Sequence, residues 1–308
     1  MNGKIYKSTG SWYVIKTKEQ EFWNGRLRGT LKIDGFTSSN PLAVGDLVDM
    51  EEEDAAEKSA IITAIHDRKN YIIRQSPSNR FQHNIIAANI DLTILLATLK
   101  EPRTSQGFID RFLVTSEAYH IPSVIVLNKS DIYGKKEMEK YEAWQEMYSS
   151  IGYKLLLISV AGKMGLDQIQ GLLKDKVSLI SGHSGVGKSS FINVILPARH
   201  LKTQDVSDWS GKGMHTTTFA EMFDLPEGGQ LIDTPGIREF GIVDIPKQEL
   251  GHYFPEMRDR LVDCQFNNCL HITEPGCAIK KALSEGEIFE DRYISYCKIL
   301  DSIDEKIY

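Results

Sequence analysis

Residues 182–189 read G-x-x-x-x-G-K-S, from Gly182 through Gly185, Val186 and Gly187 to Lys188 and Ser189. A β-rich run over residues 177–180 precedes them. Phe191, Ile192, Val194 and Ile195 follow at helical spacing. Glycines so placed let a loop curl until successive backbone N–H groups face phosphate oxygens, and the helix start adds a positive dipole end. The pattern predicts phosphate contacts from Gly182, Gly185, Val186, Gly187, Lys188, Ser189 and Ser190. Lys188 is expected to reach the β- and γ-phosphates, and the Ser189 hydroxyl to ligate Mg2+.

A second set of polar residues ends an apolar run. Residues 123–127 (SVIVL) lead directly into Asn128, Lys129, Ser130 and Asp131. Asn-Lys-x-Asp at a strand end is the guanine-reading motif of GTPases. There Asp131 accepts from guanine N1–H and the 2-amino group, Asn128 bonds the other edge and ties loops together, and the Lys129 stem lies against the ring. Adenine has no matching donors, so it would leave a desolvated carboxylate unpaired. A second base loop follows the apolar run 154–158. The expected Ser-Ala pair is Ser159-Val160 here, and the backbone N–H at the second position tolerates valine.

Between residues 199 and 243 lie groups suited to sensing and cleaving a γ-phosphate. Thr217 is the favoured second Mg2+ ligand, with Thr216 and Thr218 as alternatives. Asp233 ends a short apolar strand and is expected to hold the Mg2+ hydration shell, while the Gly236 N–H senses the γ-phosphate. Many GTPases carry a glutamine after that glycine to orient the attacking water. Here the residue is Ile237, which cannot. His215, in a polar segment that a partner could order, is the candidate to serve instead. Gly185 stands where some GTPases carry a cation-recruiting asparagine, which argues against that route.

Near the C-terminus, Cys264, Cys269, His271 and Cys277 supply three sulfurs and one imidazole. Four such ligands complete a tetrahedral Zn2+ site with no position open for water, so its role is structural. Cys297 shares a helical face with Tyr293, Tyr296 and Leu300 and reads as core. Lys280, Lys281 and Arg292 read equally as RNA contacts or as a solvated face.

The elements that must position these groups follow from periodicity. At 308 residues the chain allows two or three domains, and its net charge of −6 excludes bulk-charge coating of nucleic acid. No apolar run reaches membrane-span length, and residues 1–17 have no signal-peptide core. The expected location is therefore cytoplasmic, with reduced cysteines. Residues 1–80 show short strands at 11–17, 21–28, 47–50 and 60–66 punctuated by glycines, which suggests an OB-fold barrel. Phe22, Trp23, Arg26, Arg28 and Lys32 could bind RNA there by stacking and charge, or form an ordinary sheet surface. The acidic run 51–54 reads as a solvated loop. Residues 81–244 alternate buried strands with helices, as in a doubly wound α/β sheet. Residues 245–308 form a small, mostly helical metal-binding domain.

The motif order is unusual, because Asn-Lys-x-Asp precedes the phosphate loop. Joining the original ends of a compact domain and cutting it at another loop preserves the fold, so the pattern is that of a circularly permuted GTPase. Together, residues 182–189, His215 to Thr218, Asp233 to Gly236, Arg238 to Gly241 and the Cys264–Cys277 cluster with Glu274 to Gly276 resemble the ribosome-small-subunit-dependent GTPase A (RsgA) family. The resemblance spans nearly the whole chain. It implies GTP hydrolysis stimulated by the 30S subunit, a role in late 30S maturation, and a monomer contacting 16S rRNA through barrel and zinc domain. It also implies a catalytic histidine at the position of His215. Two other classes remain open on the residues alone. One is a nucleotide-gated switch acting on a non-ribosomal RNA; the other is a metabolic P-loop kinase, against which Asn128 and Asp131 argue.

Overall fold

The computed structural model describes residues 1–9, 12–28, 41–75, 83–197, 220–234 and 245–303. The chain opens with five strands, β1 (Asn2–Ser8), β2 (Tyr13–Thr17), β3 (Phe22–Leu27), β4 (Leu47–Asp54) and β5 (Ser59–Ile65). They follow the order β1-β2-β3-β5-β4, and β4 returns to pair with β1. The result is the expected OB-like barrel, closed so that no strand edge is left unpaired. Ile5, Tyr13, Ile15, Trp23, Val48 and Ile62 fill it.

Two details differ from expectation. Residues 51–54 are not a loop but the exposed end of β4, held in the ladder against β5. Strand β1, which closes the barrel, was not anticipated. Its polar-rich NGKIYKS sequence buries only Lys4's neighbours Gly3 and Ile5, and Tyr6.

A hairpin of β6 (Tyr71–Gln75) and β7 (His83–Ala88) leads into the central unit. The boundary expected at residue 80 falls between these paired strands, outside the described residues. Then come β8 (Leu92–Ala97), α1 (Gln106–Ala118), β9 (Ser123–Leu127), α2 (Lys135–Ser150), β10 (Lys154–Leu157), α3 (Leu166–Leu173), β11 (Val177–Ser181), α4 (Lys188–Ile195), β12 (Glu221–Asp224) and β13 (Gln230–Asp233). Strands β10-β9-β8-β11-β13 run parallel, and β12 adds an antiparallel edge.

Alternation along these strands sorts their side chains onto two faces. Leu95, Ile125, Leu127 and Leu179 meet Phe112 of α1 and Trp144 and Tyr148 of α2. Ile94, Leu96, Val126 and Ile180 meet Ile169 of α3 and Phe191 and Ile192 of α4. With both faces covered, the strands are apolar throughout rather than alternating. The helices thus hold every parallel strand so that its C-terminal end opens on the same rim, where ligands sit in such sheets.

The edge strand β12 also pairs with β1 of the barrel at Lys7 and Glu221. Asp224 on β12 accepts from the Tyr6 hydroxyl at 2.6 Å and from Lys16 Nζ at 2.5 Å. The β12–β13 hairpin is therefore shared between barrel and central sheet.

The C-terminal part contains α5 (Pro255–Arg258), α6 (Ala278–Ser284) and α7 (Glu290–Ser302). It packs on α1, whose Val114 joins Leu250, Phe254, Tyr296 and Ile299 in one cluster. Arg292 on α7 is fully buried and cannot touch RNA, which corrects the surface reading of this residue. It lies on the buried stripe with Ser295, Tyr296 and Ile299, spaced at helical intervals. Its guanidinium reaches Asp110 of α1 at 2.5 Å and Glu256 of α5 at 2.7 Å, and Tyr148 donates to the same Asp110 carboxylate.

Candidate nucleotide and metal sites

The phosphate loop joins β11 to α4, as the sequence predicts. Its three glycines all have positive φ: 152° at Gly182, 83° at Gly185 and 96° at Gly187. Two of them are also demanded by close neighbours. A Cβ at Gly182 would lie 2.2 Å from the Leu96 carbonyl oxygen, and one at Gly187 would lie 2.6 Å from Asn128 Nδ2. Lys188 begins α4 and donates to the carbonyls of Gly182 and His183, the latter at 2.9 Å. Ser189 and Ser190 occupy the helix's first turn. Burial holds the Lys188 ammonium below its ordinary range, and Asp233 opposes that shift. Asp233 lies at the end of β13, in register with Ile180 of β11, and so stands beside the phosphate loop.

Asn128 begins where β9 ends and is 2 % exposed. Its side-chain amide donates to the Val186 carbonyl at 2.9 Å and accepts from the Val160 N–H at 3.0 Å. One side chain thus binds together the base motif, the second base loop and the phosphate loop. The valine at position 160 is accommodated, because its N–H makes the bond to Asn128 and its side chain packs in the core with Ile158 and Val126. Ser159 is fully buried; its hydroxyl donates to the Asp131 carboxylate and accepts the Gly162 N–H at 2.8 Å. Lys129 takes the left-handed conformation, φ 66°, and donates from Nζ to the Glu101 carbonyl. Asp131 follows on a short 3-10 turn over Ser130–Ile132. Asn128, Asp131, Ser159 and the phosphate loop therefore share one rim. His215, Thr216, Thr217, Thr218, Gly236, Ile237 and Lys32 lie outside the described residues.

Sequence reasoning missed one participant, Tyr133. Its hydroxyl donates to the Asn128 carbonyl at 2.6 Å and accepts the Leu99 N–H at 2.8 Å. A tyrosine two positions after a loop motif carries no signal of its own in the sequence.

On the barrel, Trp23 is 6 % exposed and packs in the core, so it cannot offer its ring to a base. The period-two pattern of β3 contained this answer: Trp23 shares a phase with Gly25 and Leu27, opposite Arg26. Phe22, on the outer face, is half exposed, and Lys16 Nζ lies 5.6 Å from its ring centre. Arg26 pairs with Glu53, and Arg28 lies 3.4 Å from Glu51, so the acidic end of β4 neutralises both guanidinium groups.

The four predicted metal ligands do converge. One donor atom from each of Cys264, Cys269, His271 and Cys277 lies within 4.8 Å of every other. Cys264 and Cys277 sulfurs are 3.6 and 3.4 Å from His271 Nδ1. The loop that carries them is pinned by Glu274, whose carboxylate accepts the N–H groups of Leu270, Ile272 and Thr273. Tyr293 holds the His271 carbonyl at 2.6 Å. Burial lowers the His271 pKa, which keeps the ring neutral and its lone pair available. Burial pushes the Cys269 thiol up to about 12, a shift that a bound cation reverses. Three sulfurs and one imidazole in this arrangement can hold a metal ion. Cys297 is outside the cluster and packs against the helical core, as expected.

Comparison with known proteins agrees with this geometry. The RsgA GTPase family profile matches residues 65–243, and that of the RsgA N-terminal domain matches residues 2–62. The chain is 48% identical to a small ribosomal subunit biogenesis GTPase RsgA of Flavobacterium psychrophilum over 306 residues, covering 99% of this chain and 94% of that protein. It is 50% identical to the protein of that description from Cytophaga hutchinsonii, covering 97% of this chain and 98% of the other. The crystal structure of YjeQ from Thermotoga maritima superimposes with a TM-score of 0.78 at 33% identity, covering 97% of each chain. That of YloQ, described as a circularly permuted GTPase, does so with 0.75 at 32%, covering 98% of this chain and 94% of the other.

Alanine at position 187 must adopt positive φ and displace the Asn128 amide. Gly187→Ala is therefore expected to weaken binding of a fluorescent GDP analogue by about tenfold or more. An unchanged Kd in a fluorescence titration contradicts the bracing role given to Asn128 and Gly187.

Proposed function

The chain belongs to the RsgA GTPase family, and on that premise we propose that it binds the small ribosomal subunit and hydrolyses GTP in response, assisting late maturation of that subunit in the cytoplasm. The observation that supports this most is the near-complete coverage of relatives that bear the small-subunit biogenesis name, at about half identity. It favours the ribosome over an unrelated RNA as the partner.

In this reading Asp131 accepts the two donors of the guanine edge, and the Lys129 stem covers the ring. The Ser159 hydroxyl holds the Asp131 carboxylate, the Glu101 carbonyl holds Lys129 Nζ, and the Asn128 amide ties the second base loop to the phosphate loop. The N–H groups from Gly182 to Ser190 receive the phosphates, and Lys188 exchanges its loop carbonyls for the β- and γ-phosphate oxygens. Ser189 and Thr217 are the ligands assigned to Mg2+, and Asp233 would hold its hydration shell; the ion when bound would neutralise charge developing on the phosphates. The Gly236 N–H contacts the γ-phosphate. Because Ile237 cannot orient water, His215 takes that role in the complex with the ribosomal subunit. Water adds to the γ-phosphorus as the bond to the β-phosphate oxygen breaks, giving GDP and inorganic phosphate.

The Cys264, Cys269, His271 and Cys277 cluster is assigned one structural Zn2+, since thiolate and imidazole donors suit that ion and fill all four positions. Contacts to 16S rRNA are assigned to the outer barrel face, with Phe22 in place of Trp23 as the stacking ring. Arg26 and Arg28 supply charge there, once phosphates displace Glu53 and Glu51, and Lys32 is assigned to the same RNA contact on its charge alone. The protein acts as a monomer.

Two experiments test these assignments. GTP and ATP turnover is measured with and without purified 30S subunits, for the unaltered chain and for His215→Ala. The expected result is stimulation restricted to GTP and reduced about 100-fold or more in the variant. Stimulation retained by the variant removes His215 from catalysis. No effect of 30S on turnover or nucleotide affinity removes the ribosomal partner. Separately, metal analysis is expected to find about one zinc per chain, lost in Cys277→Ser together with part of the helical signal of residues 245–303. A metal-free chain with an intact fold contradicts the zinc assignment.

A further inference from the structure

Tyr133 lies two residues past Asp131, and its ring packs at the edge of the large core beneath α1 and α2. Its hydroxyl sits between two backbone groups that the sheet leaves unpaired at strand ends. One is the Asn128 carbonyl, just beyond β9; the other is the Leu99 N–H, just beyond β8. Between Asn128 and Asp131 the backbone passes through the left-handed conformation at Lys129, an uncommon state for a non-glycine residue that its surroundings must enforce.

The segment after β8 bears on both nucleotide loops. Its Glu101 carbonyl receives Lys129 Nζ, and its Pro102 ring stands 3.3 Å from where a Cβ on Gly185 would be. Thr98 and Thr104 close this segment on itself: the Thr104 N–H donates to the Thr98 carbonyl at 2.8 Å, and the Thr98 N–H to Thr104 Oγ1 at 3.1 Å. The Tyr133 hydroxyl is where that closed segment meets the base motif. Burial pushes its pKa up to about 12, so it stays a donor to Asn128 throughout the neutral range.

We propose that Tyr133 is a positioning residue for guanine recognition: its hydroxyl, held by the Leu99 amide and holding the Asn128 carbonyl, fixes the turn that presents Asp131 to the base. The proposal rests on reading Asn128 and Asp131 as the guanine site. Removing the hydroxyl orphans a buried N–H and a buried carbonyl and frees the Lys129 turn, while the hydroxyl's own partners, Leu99 N–H and the Asn128 carbonyl, lie outside the phosphate loop.

The test is Tyr133→Phe in the full-length protein, with Kd values for GDP, IDP and ADP and steady-state GTP turnover. IDP lacks the 2-amino group, so Asp131 makes one bond to it instead of two. GDP affinity is expected to fall about tenfold. IDP affinity falls less, so the GDP-over-IDP preference shrinks, and turnover loses more in KM than in kcat. A purely structural role lowers the thermal midpoint and leaves the GDP-over-IDP ratio unchanged, and that result overturns the proposal. If the unaltered protein itself fails to prefer GDP over IDP and ADP, the guanine-site reading falls as well.

A second measurement needs no substitution. In the unaltered protein, GDP should slow hydrogen exchange at the Leu99 amide more than saturating IDP does. Equal protection by the two nucleotides also overturns the proposal.

Discussion

The buried amide of Asn128 is the interaction on which the site depends. It joins its own loop to residues 32 and 58 positions further along the chain, and it does so with both ends of one small side chain. Because the amide is nearly inaccessible to water, losing it strands the Val186 carbonyl and the Val160 N–H without partners, a cost larger than the net worth of the bonds. The close approach explains why position 187 is glycine. It also explains why cutting the chain elsewhere leaves the site intact: the loops are joined to each other, not by the order in which the chain visits them.

The two flanking units attach to this core differently. The C-terminal unit is fixed to α1 by Arg292, whose charge is met by Asp110 and Glu256 in a fully buried network. Such a network adds little net stability against an apolar replacement, but breaking one partner leaves an uncompensated charge, so it enforces one docking geometry. The barrel joins through Lys7, Tyr6 and Lys16, which meet Glu221 and Asp224 on β12, and through the buried Tyr6 ring and Val44, which pack into the central core with Ala87 and Met222. The β12 and β13 strands connect directly to residues 198–219 and 235–244, which carry His215, Thr217 and Gly236.

Much of this was legible in the sequence where chemistry forces contiguity. A phosphate loop must be one short stretch between strand and helix, and a base motif must sit at a strand end, so both were found with their elements. The metal ligands were equally visible, since four donors close in sequence have few other uses. What escaped depends on partners far away in the chain. Arg292 carries a charge that reads as surface until Asp110, 182 residues distant, is placed beside it. Strand β1 looks polar because the barrel and β12 supply its partners. The burial of Trp23 was different: the alternation along β3 contained it, and attention to aromatic composition alone obscured it.

In the function proposed here, Asp131, held by Ser159 and by the turn that Asn128 starts, selects guanine. The most direct measurement is the affinity of Asp131→Asn for GDP and for XDP beside the unaltered chain. Xanthine presents an acceptor where guanine presents its amino donor, and an amide can donate to it. The preference is expected to invert: GDP binding weakens by about 100-fold or more and XDP binding strengthens. A variant that keeps its preference for GDP would contradict the claim.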